Sequence, residues 1–159
     1  MRRVLVTGAA GFIASHLVEA LVRQGTRVRA FVRYNSAHRA GNLELLPPDV
    51  RAEVEMFFGD LRDPDAVAQA MRGADQVYHL GAVITIPYSY QHPREVVAVN
   101  VGGTENVLGL AFELGVPRII YTSTVAVFGD TRGELPDAPE PTKSYYQRVS
   151  PSAPARRHP

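Results

Sequence analysis

Apolar residues along this chain fall into two alternating rhythms. Val4–Thr7 is a short apolar run, whereas from Phe12 to Gln24 apolar residues recur at helical spacing through Ile13, Leu17, Ala20 and Leu21. Gly25 follows where a helix C-cap belongs. RVRAFVR (27–33) alternates like a strand, and residues 34–50 are polar with Pro47-Pro48, which predicts a loop with one helical turn. EVEMFFGD (53–60) predicts a third strand. DPDAVAQAMRG (63–73) has Asp63 as an N-cap, Pro64 in the first helical position and Gly73 at its close. DQVYHLGA (75–82) predicts the fourth strand. A long helix is expected from about Pro93 to Leu114, with an apolar face of Val107, Leu108, Ala111 and Leu114. RIIYTST (118–124) predicts the fifth strand, and the Pro-, Asp- and Gly-rich residues 129–143 a loop.

Strands alternating with helices across short loops predict an α/β fold: a doubly wound parallel sheet covered on both faces. Composition agrees with one globular unit. The 159 residues are 45% hydrophobic and 21% charged, enough to bury roughly 70% of the extended-chain surface. The net charge of +1 offers no bulk attraction for nucleic acid. No stretch approaches the ~20 apolar residues of a membrane span, and the absence of cysteine is compatible with a reducing compartment. The expectation is a cytoplasmic protein with neither nucleic-acid nor membrane partner. Its five histidines share no ligand spacing with each other or with acids, so no metal site is predicted.

In a doubly wound sheet, ligands gather beyond the carboxyl ends of the strands. After the first strand, TGAAGFIAS supplies Thr7, Gly8, Gly11, Phe12 and Ile13, with Ala14 completing a small-residue triplet spaced by three. Gly8 suits a tight turn, Gly11 lets backbone approach a pyrophosphate, and Ala14 allows close helix–sheet packing. After the second strand, the neighbourhood about 20 residues on has no carboxylate but carries Arg33. A guanidinium there pairs with a 2′-phosphate, leaning the cofactor from NAD towards NADP; the alternative is a solvated surface arginine. After the third strand, Asp60 is placed to accept from an adenine amino group and Leu61 to pack on the ring. After the fourth, Leu80, Gly81 and Ala82 bring backbone close to the cofactor. His79 is read as buried in the strand and satisfied by a neighbouring carbonyl, not as a catalyst.

The segments VTGAAGFIASH, GDLRD, HLGA, VNVGGTENVL and YTSTVAVFG occur in that order. Together they resemble the extended short-chain dehydrogenase/reductases, the NAD-dependent epimerase/dehydratase group, over residues 1–148. The resemblance implies an NAD(P)-binding Rossmann domain at 1–148 and a further substrate domain, with 149–159 an irregular tail. It implies hydride transfer on a small-molecule substrate, a nucleotide sugar or a ketone. Thr124 matches the family's catalytic Ser/Thr and Tyr146 its catalytic tyrosine; Asn100 matches a supporting asparagine, and Thr122 falls among the cofactor contacts. ITIPYSYQHP (84–93) resembles the substrate loop of nucleotide-sugar 4,6-dehydratases, or else it is an aromatic cap on the sheet edge. Val125 and Ala126 stand where a dehydratase needs an acid/base, which leaves epimerisation or carbonyl reduction of the dihydroflavonol-reductase type. A non-catalytic dinucleotide-binding module is the remaining alternative.

In that family a lysine follows the tyrosine by four residues, one helical turn on, and stabilises its phenolate. Here Ser150 takes that place and Pro151 stops the helix. An unassisted tyrosine, with a pKa of about 10, stays protonated at neutral pH. The sequence therefore reads as a truncated or frameshifted member, its substrate domain missing, inactive alone, and prone to self-association through an uncovered fifth strand.

Overall fold

The computed structural model describes residues 2–124. The chain divides into two units, residues 1–121 and residues 122–159. Every helix and strand among the described residues lies in the first.

Five parallel strands form one sheet in the order β3-β2-β1-β4-β5: β1 (Arg3–Thr7), β2 (Arg27–Arg33), β3 (Val54–Gly59), β4 (Gln76–His79) and β5 (Ile119–Tyr121). Both faces of β1 and β2 are covered, so their residues are apolar in near-continuous runs. Val4, Val6, Val28, Ala30 and Val32 pack on one face beneath α1 (Phe12–Arg23) and α2 (Pro48–Ala52), with Leu43 and Leu46. Leu5, Phe31 and Val77 point to the other face, beneath α3 (Pro64–Met71) and α6 (Gly103–Glu113). Each fully buried Val, Leu or Phe contributes roughly 1.5–3 kcal/mol, so the two half-cores hold the sheet between them.

Helix boundaries follow local chemistry. Asp63 caps α3, its carboxylate accepting from the backbone N–H groups of Asp65 (3.0 Å) and Ala66 (3.3 Å), and Pro64 occupies the first turn. Gly25 adopts φ +76, and the N–H groups of Gly25 and Thr26 close α1 on the carbonyls of Val22 and Leu21.

Four expectations change. The buried stripe of α1 is Ala14, Ser15, Val18 and Leu21, while Ile13 is exposed. Small residues face the sheet because the helix lies close to it. On α6 the buried face is Gly103, Val107 and Ala111, with Leu108 and Leu114 off it. The long helix is broken into α5 (Pro93–Val97), a π turn (Ala98–Gly102) and α6, and the π turn shifts the phase between the two ends. A further helix, α4 (Ile86–Gln91), stands where loop was expected, while the helical turn expected within 34–50 is a 3₁₀ turn (Gly41–Leu45).

Among the described residues, no helix is long and apolar enough to cross a membrane. The predicted loop 129–143, Lys143, Tyr146 and the tail lie outside the described residues. Replacing Asp63 by alanine removes two bonds to the first turn of α3 and is expected to cost about 1 kcal/mol, read as a lower urea midpoint with an unchanged slope.

Candidate functional site

β1 lies between β2 and β4 while the chain builds outward on either side of it, so a crevice opens where the connections diverge. Thr7 ends β1 and pairs in register with Phe31 and His79; Gly8 turns the chain away at φ +67. A Cβ on Gly8 would lie 2.7 Å from the Cα of Gly81, so the turns after β1 and β4 touch backbone to backbone. Only glycine fits that position, for both conformation and space.

The turn then enters α1. Gly11 is its N-cap without a side-chain bond, and no acid stands in the first turn. The opening N–H groups of a helix have no intrahelical partner, and among the described residues no side chain caps them. Phe12 and Ile13 are 72% and 69% exposed, so the end of α1 is open. A Cβ on Gly11 would meet the Gly8 carbonyl at 3.2 Å. This bare, positively polarised backbone fits a diphosphate.

Beside it lies a cleft of about 110 Å³ lined by Gly8, Phe31, Arg33, Gly59, Asp60, Leu61, Gly81, Ala82 and Val99. It is smaller than the ~300–1,000 Å³ of a whole ligand site, and so suits one ring of a dinucleotide. A larger, shallower depression of about 390 Å³ at Val22, Asp49 and Glu53 lies on the far side of α1, away from the strand ends.

Leu61 forms the floor of the cleft. A Cβ on Gly81 would come within 2.6 Å of its Cδ1, and one on Gly103 within 2.8 Å of its Cβ. Its carbonyl accepts from Asn106 Nδ2 at 2.8 Å. Asp60, beside it, is held by Arg62 through two guanidinium nitrogens, Nε and Nη2, and the backbone N–H. The Arg62 guanidinium keeps the Asp60 carboxyl below its ordinary range. Arg33 is engaged as well, paired with Glu95 at 3.2 Å, and Glu95 also accepts from the Tyr88 hydroxyl.

A directed hydrogen-bond chain runs beneath these groups. Gly81 N–H donates to Thr7 Oγ1 at 3.1 Å, and Thr7 Oγ1 lies 2.7 Å from His79 Nδ1. On the other side, His79 Nε2 is 3.0 Å from Thr104 Oγ1, whose hydroxyl donates to the Asn100 carbonyl at 2.7 Å. Thr104 has spent its proton on a carbonyl, so it accepts from Nε2–H. The neutral ring then receives the Thr7 proton at Nδ1. Asn100 closes the chain by accepting from Val83 N–H and donating to its carbonyl.

His79 is thus buried, as its strand position predicts, but hydroxyls rather than a carbonyl satisfy it. Burial pushes its pKa down to about 4. Sequence reasoning missed Thr104, Asn106 and Glu95; the run GGTEN, two glycines ahead of three polar side chains, was the available signal for the first two. Of the predicted residues, Thr7, Gly8, Arg33, Asp60, Leu61, Gly81 and Ala82 meet at the crevice, with Gly11, Phe12 and Ile13 at the adjoining helix end. Leu80 sends its side chain into the core beside α1, while its backbone carbonyl carbon lies at the Gly8 turn, 2.8 Å from where a Cβ on Gly8 would stand. Thr122 and Thr124 belong to the second unit. Among the described residues, no group of three or more His, Cys, Asp or Glu side chains could hold a metal.

The family model for the NAD dependent epimerase/dehydratase family matches residues 4–153. The 3β-hydroxysteroid dehydrogenase/Δ5→4-isomerase of Mycobacterium tuberculosis is 39% identical over 129 residues, 79% of this chain and 32% of that protein. A Synechocystis sp. protein named for dihydroflavonol 4-reductase is 37% identical over 145 residues, 91% of this chain and 38% of its own length. Among solved structures, UDP-glucose 4-epimerase from Stenotrophomonas maltophila, with bound NAD and formylated UDP-arabinopyranose, superposes with a TM-score of 0.65. It is 26% identical and covers 84% of this chain and 40% of that one. The chain spans about a third of the length of these curated relatives.

The His79 chain predicts a pH dependence. The ring's pKa is about 4 folded and about 6.5 unfolded, so folding favours the neutral ring. Its stabilising share is complete above about pH 6.5 and is lost as pH falls towards 4, about 3 kcal/mol in all. Urea unfolding at pH 7 and pH 4.5 is expected to show a smaller drop for H79Q than for the parent chain.

Proposed function

Because the chain belongs to the NAD dependent epimerase/dehydratase family, we propose that residues 2–121 grip NAD(P) for hydride transfer on a small-molecule substrate. The observation that carries this reading is the Gly8–Gly81 backbone contact beside the uncapped start of α1. Among the described residues, it leaves the first-turn N–H groups of α1 without a side-chain cap. The diphosphate would lie across Gly11, Phe12 and Ile13, and the adenosine in the cleft between Arg33 and Leu61. When bound, the nicotinamide supplies the hydride acceptor or donor.

The chain's own residues hold and orient. Thr7 and His79 fix the distance between the turns after β1 and β4, and Asn100 fixes the segment that follows at Val83. Asp60 is proposed to receive the adenine amino group while remaining ionised through Arg62. Arg33 is proposed to meet a 2′-phosphate, which supports NADP. For chemistry, we propose Thr124 as hydrogen-bond partner of the reacting substrate oxygen and Tyr146 as its proton carrier, on the strength of the family pattern alone. With Ser150 four residues beyond Tyr146, the lysine that the family pattern sets there to assist the phenol is replaced by a neutral side chain. Coenzyme binding is accordingly expected to outlast catalysis in this chain.

The substrate reading is a nucleotide sugar, supported by the sugar nucleotide bound to the Stenotrophomonas epimerase. A second reading, an apolar ketone or alcohol, is favoured by Ile84, Ile86 and Tyr90. These side chains are 87%, 69% and 77% exposed around the start of α4, as a surface for an apolar ring system would be. Initial rates with UDP-glucose against a hydroxysteroid or a dihydroflavonol separate the two.

Binding itself is the primary test. The chain has no tryptophan, so heat or the fluorescence of the reduced coenzyme is the readout. Gly11→Val keeps the helix but fills the approach to its first turn. It is expected to weaken NADH and NADPH alike by at least about tenfold, the loss of one or two charge-assisted hydrogen bonds. An unchanged affinity for both would overturn the diphosphate reading.

A further inference from the structure

We infer that Glu95 is a built-in competitor for Arg33, an internal anion that a coenzyme's 2′-phosphate must displace, and that it thereby sets the coenzyme preference of the site. The inference rests on the dinucleotide reading of the cleft and adds the residue that tunes it.

Arg33 closes β2 and lines the cleft. Its guanidinium nevertheless faces a carboxylate 62 positions further along the chain, Glu95 on α5, at 3.2 Å. The two partners are unequally free: the side chain of Arg33 is 68% exposed and that of Glu95 24% exposed. Glu95 is also tied from its other oxygen by the hydroxyl of Tyr88 on α4. That bond is the main cause holding the Glu95 carboxyl below its ordinary range. The acid is therefore fixed in place and ionised, whereas the arginine can swing.

The wider charge set has the same character. Asp60 and Arg62 form the second ion pair at the cleft, at 2.6 Å. Among the described residues, the two cations at this rim, Arg33 and Arg62, are each paired with a carboxylate, so an added phosphate must compete for one of them. A ribose with a free 2′-hydroxyl brings no charge and needs none. One bearing a 2′-phosphate brings a charge near −2 at neutral pH and must take Arg33 from Glu95 while lying close to it. Like charges a few ångströms apart at a protein surface repel appreciably, so the cost falls on the phosphorylated coenzyme alone.

The test is calorimetric titration of the full chain with NADPH and with NADH, at one fixed low ionic strength, for the parent, E95Q, Y88F and the pair R33A and R33A/E95Q. E95Q is expected to tighten NADPH by about tenfold and to change NADH by less than twofold. Y88F, which frees Glu95 without discharging it, is expected to move NADPH in the same direction by less; it also serves if E95Q folds poorly. In the R33A background, E95Q is expected to lose most of its effect on NADPH. The inference is overturned if E95Q leaves the ratio of the two affinities unchanged or weakens NADPH. It is equally overturned if the gain is as large without Arg33, which would make Glu95 a bulk charge and not a competitor. Absence of heat from both coenzymes with folded parent protein would overturn the dinucleotide reading itself, and this inference with it.

Discussion

Two chain segments 73 residues apart, Gly8 and Gly81, lie so close that neither could carry a side chain towards the other. Everything at the carboxyl end of the sheet takes its position from that approach. It is possible because β1 and β4 are neighbours in register, Thr7 opposite His79, and because Thr7 satisfies the buried Gly81 N–H that the approach strips of water. An unpaired buried donor would cost about 1–3 kcal/mol. The hydroxyl meets that demand and passes it to His79, Thr104 and the π turn, so a contact between two glycines becomes a tie across half the sheet.

The same economy of space explains Leu61. It is an apolar side chain set among residues chosen for having almost none: Gly81 on one side, Gly103 on the other. α6 can approach Leu61 this closely because position 103 is glycine, and Asn106 then fastens it to the Leu61 carbonyl. The crevice is consequently walled by backbone. Such a wall offers N–H groups and shape to a ligand but little charge, and the charge comes from the rim, where Arg33, Glu95, Asp60 and Arg62 stand in pairs.

Much of the architecture was legible because it is encoded locally. The doubly wound sheet, the start of α3 at Asp63-Pro64 and the end of α1 at Gly25 all rest on short-range preferences that a few residues display. Failures arose where tertiary contact decides. The inner face of α1 is Ala14, Ser15, Val18 and Leu21, not Ile13 and Ala20, because proximity to the sheet at the start of the helix admits Ala14 and Ser15 where Ile13 would be too large. α4 begins at Ile86-Pro87 without a side-chain cap, leaving the proline in its first turn as the sole local sign of a start. The site divides likewise: the glycines after β1 and β4 announce themselves, but the partner of Arg33 lies on another helix, and no local pattern joins positions 33 and 95.

The π turn at Ala98–Gly102 carries one further consequence. An α-helix advances by about 100° per residue, and a π turn accommodates one residue more than its α equivalent. The stretch ahead of it presents Glu95 to the rim and the turn itself presents Val99 to the crevice, while the stretch after it presents Gly103, Val107 and Ala111 to the sheet. One surplus residue therefore lets a single rod serve two masters that an unbroken helix could not face together. Deleting it would swing the packing face of α6 out of the interior while leaving every side chain chemically intact.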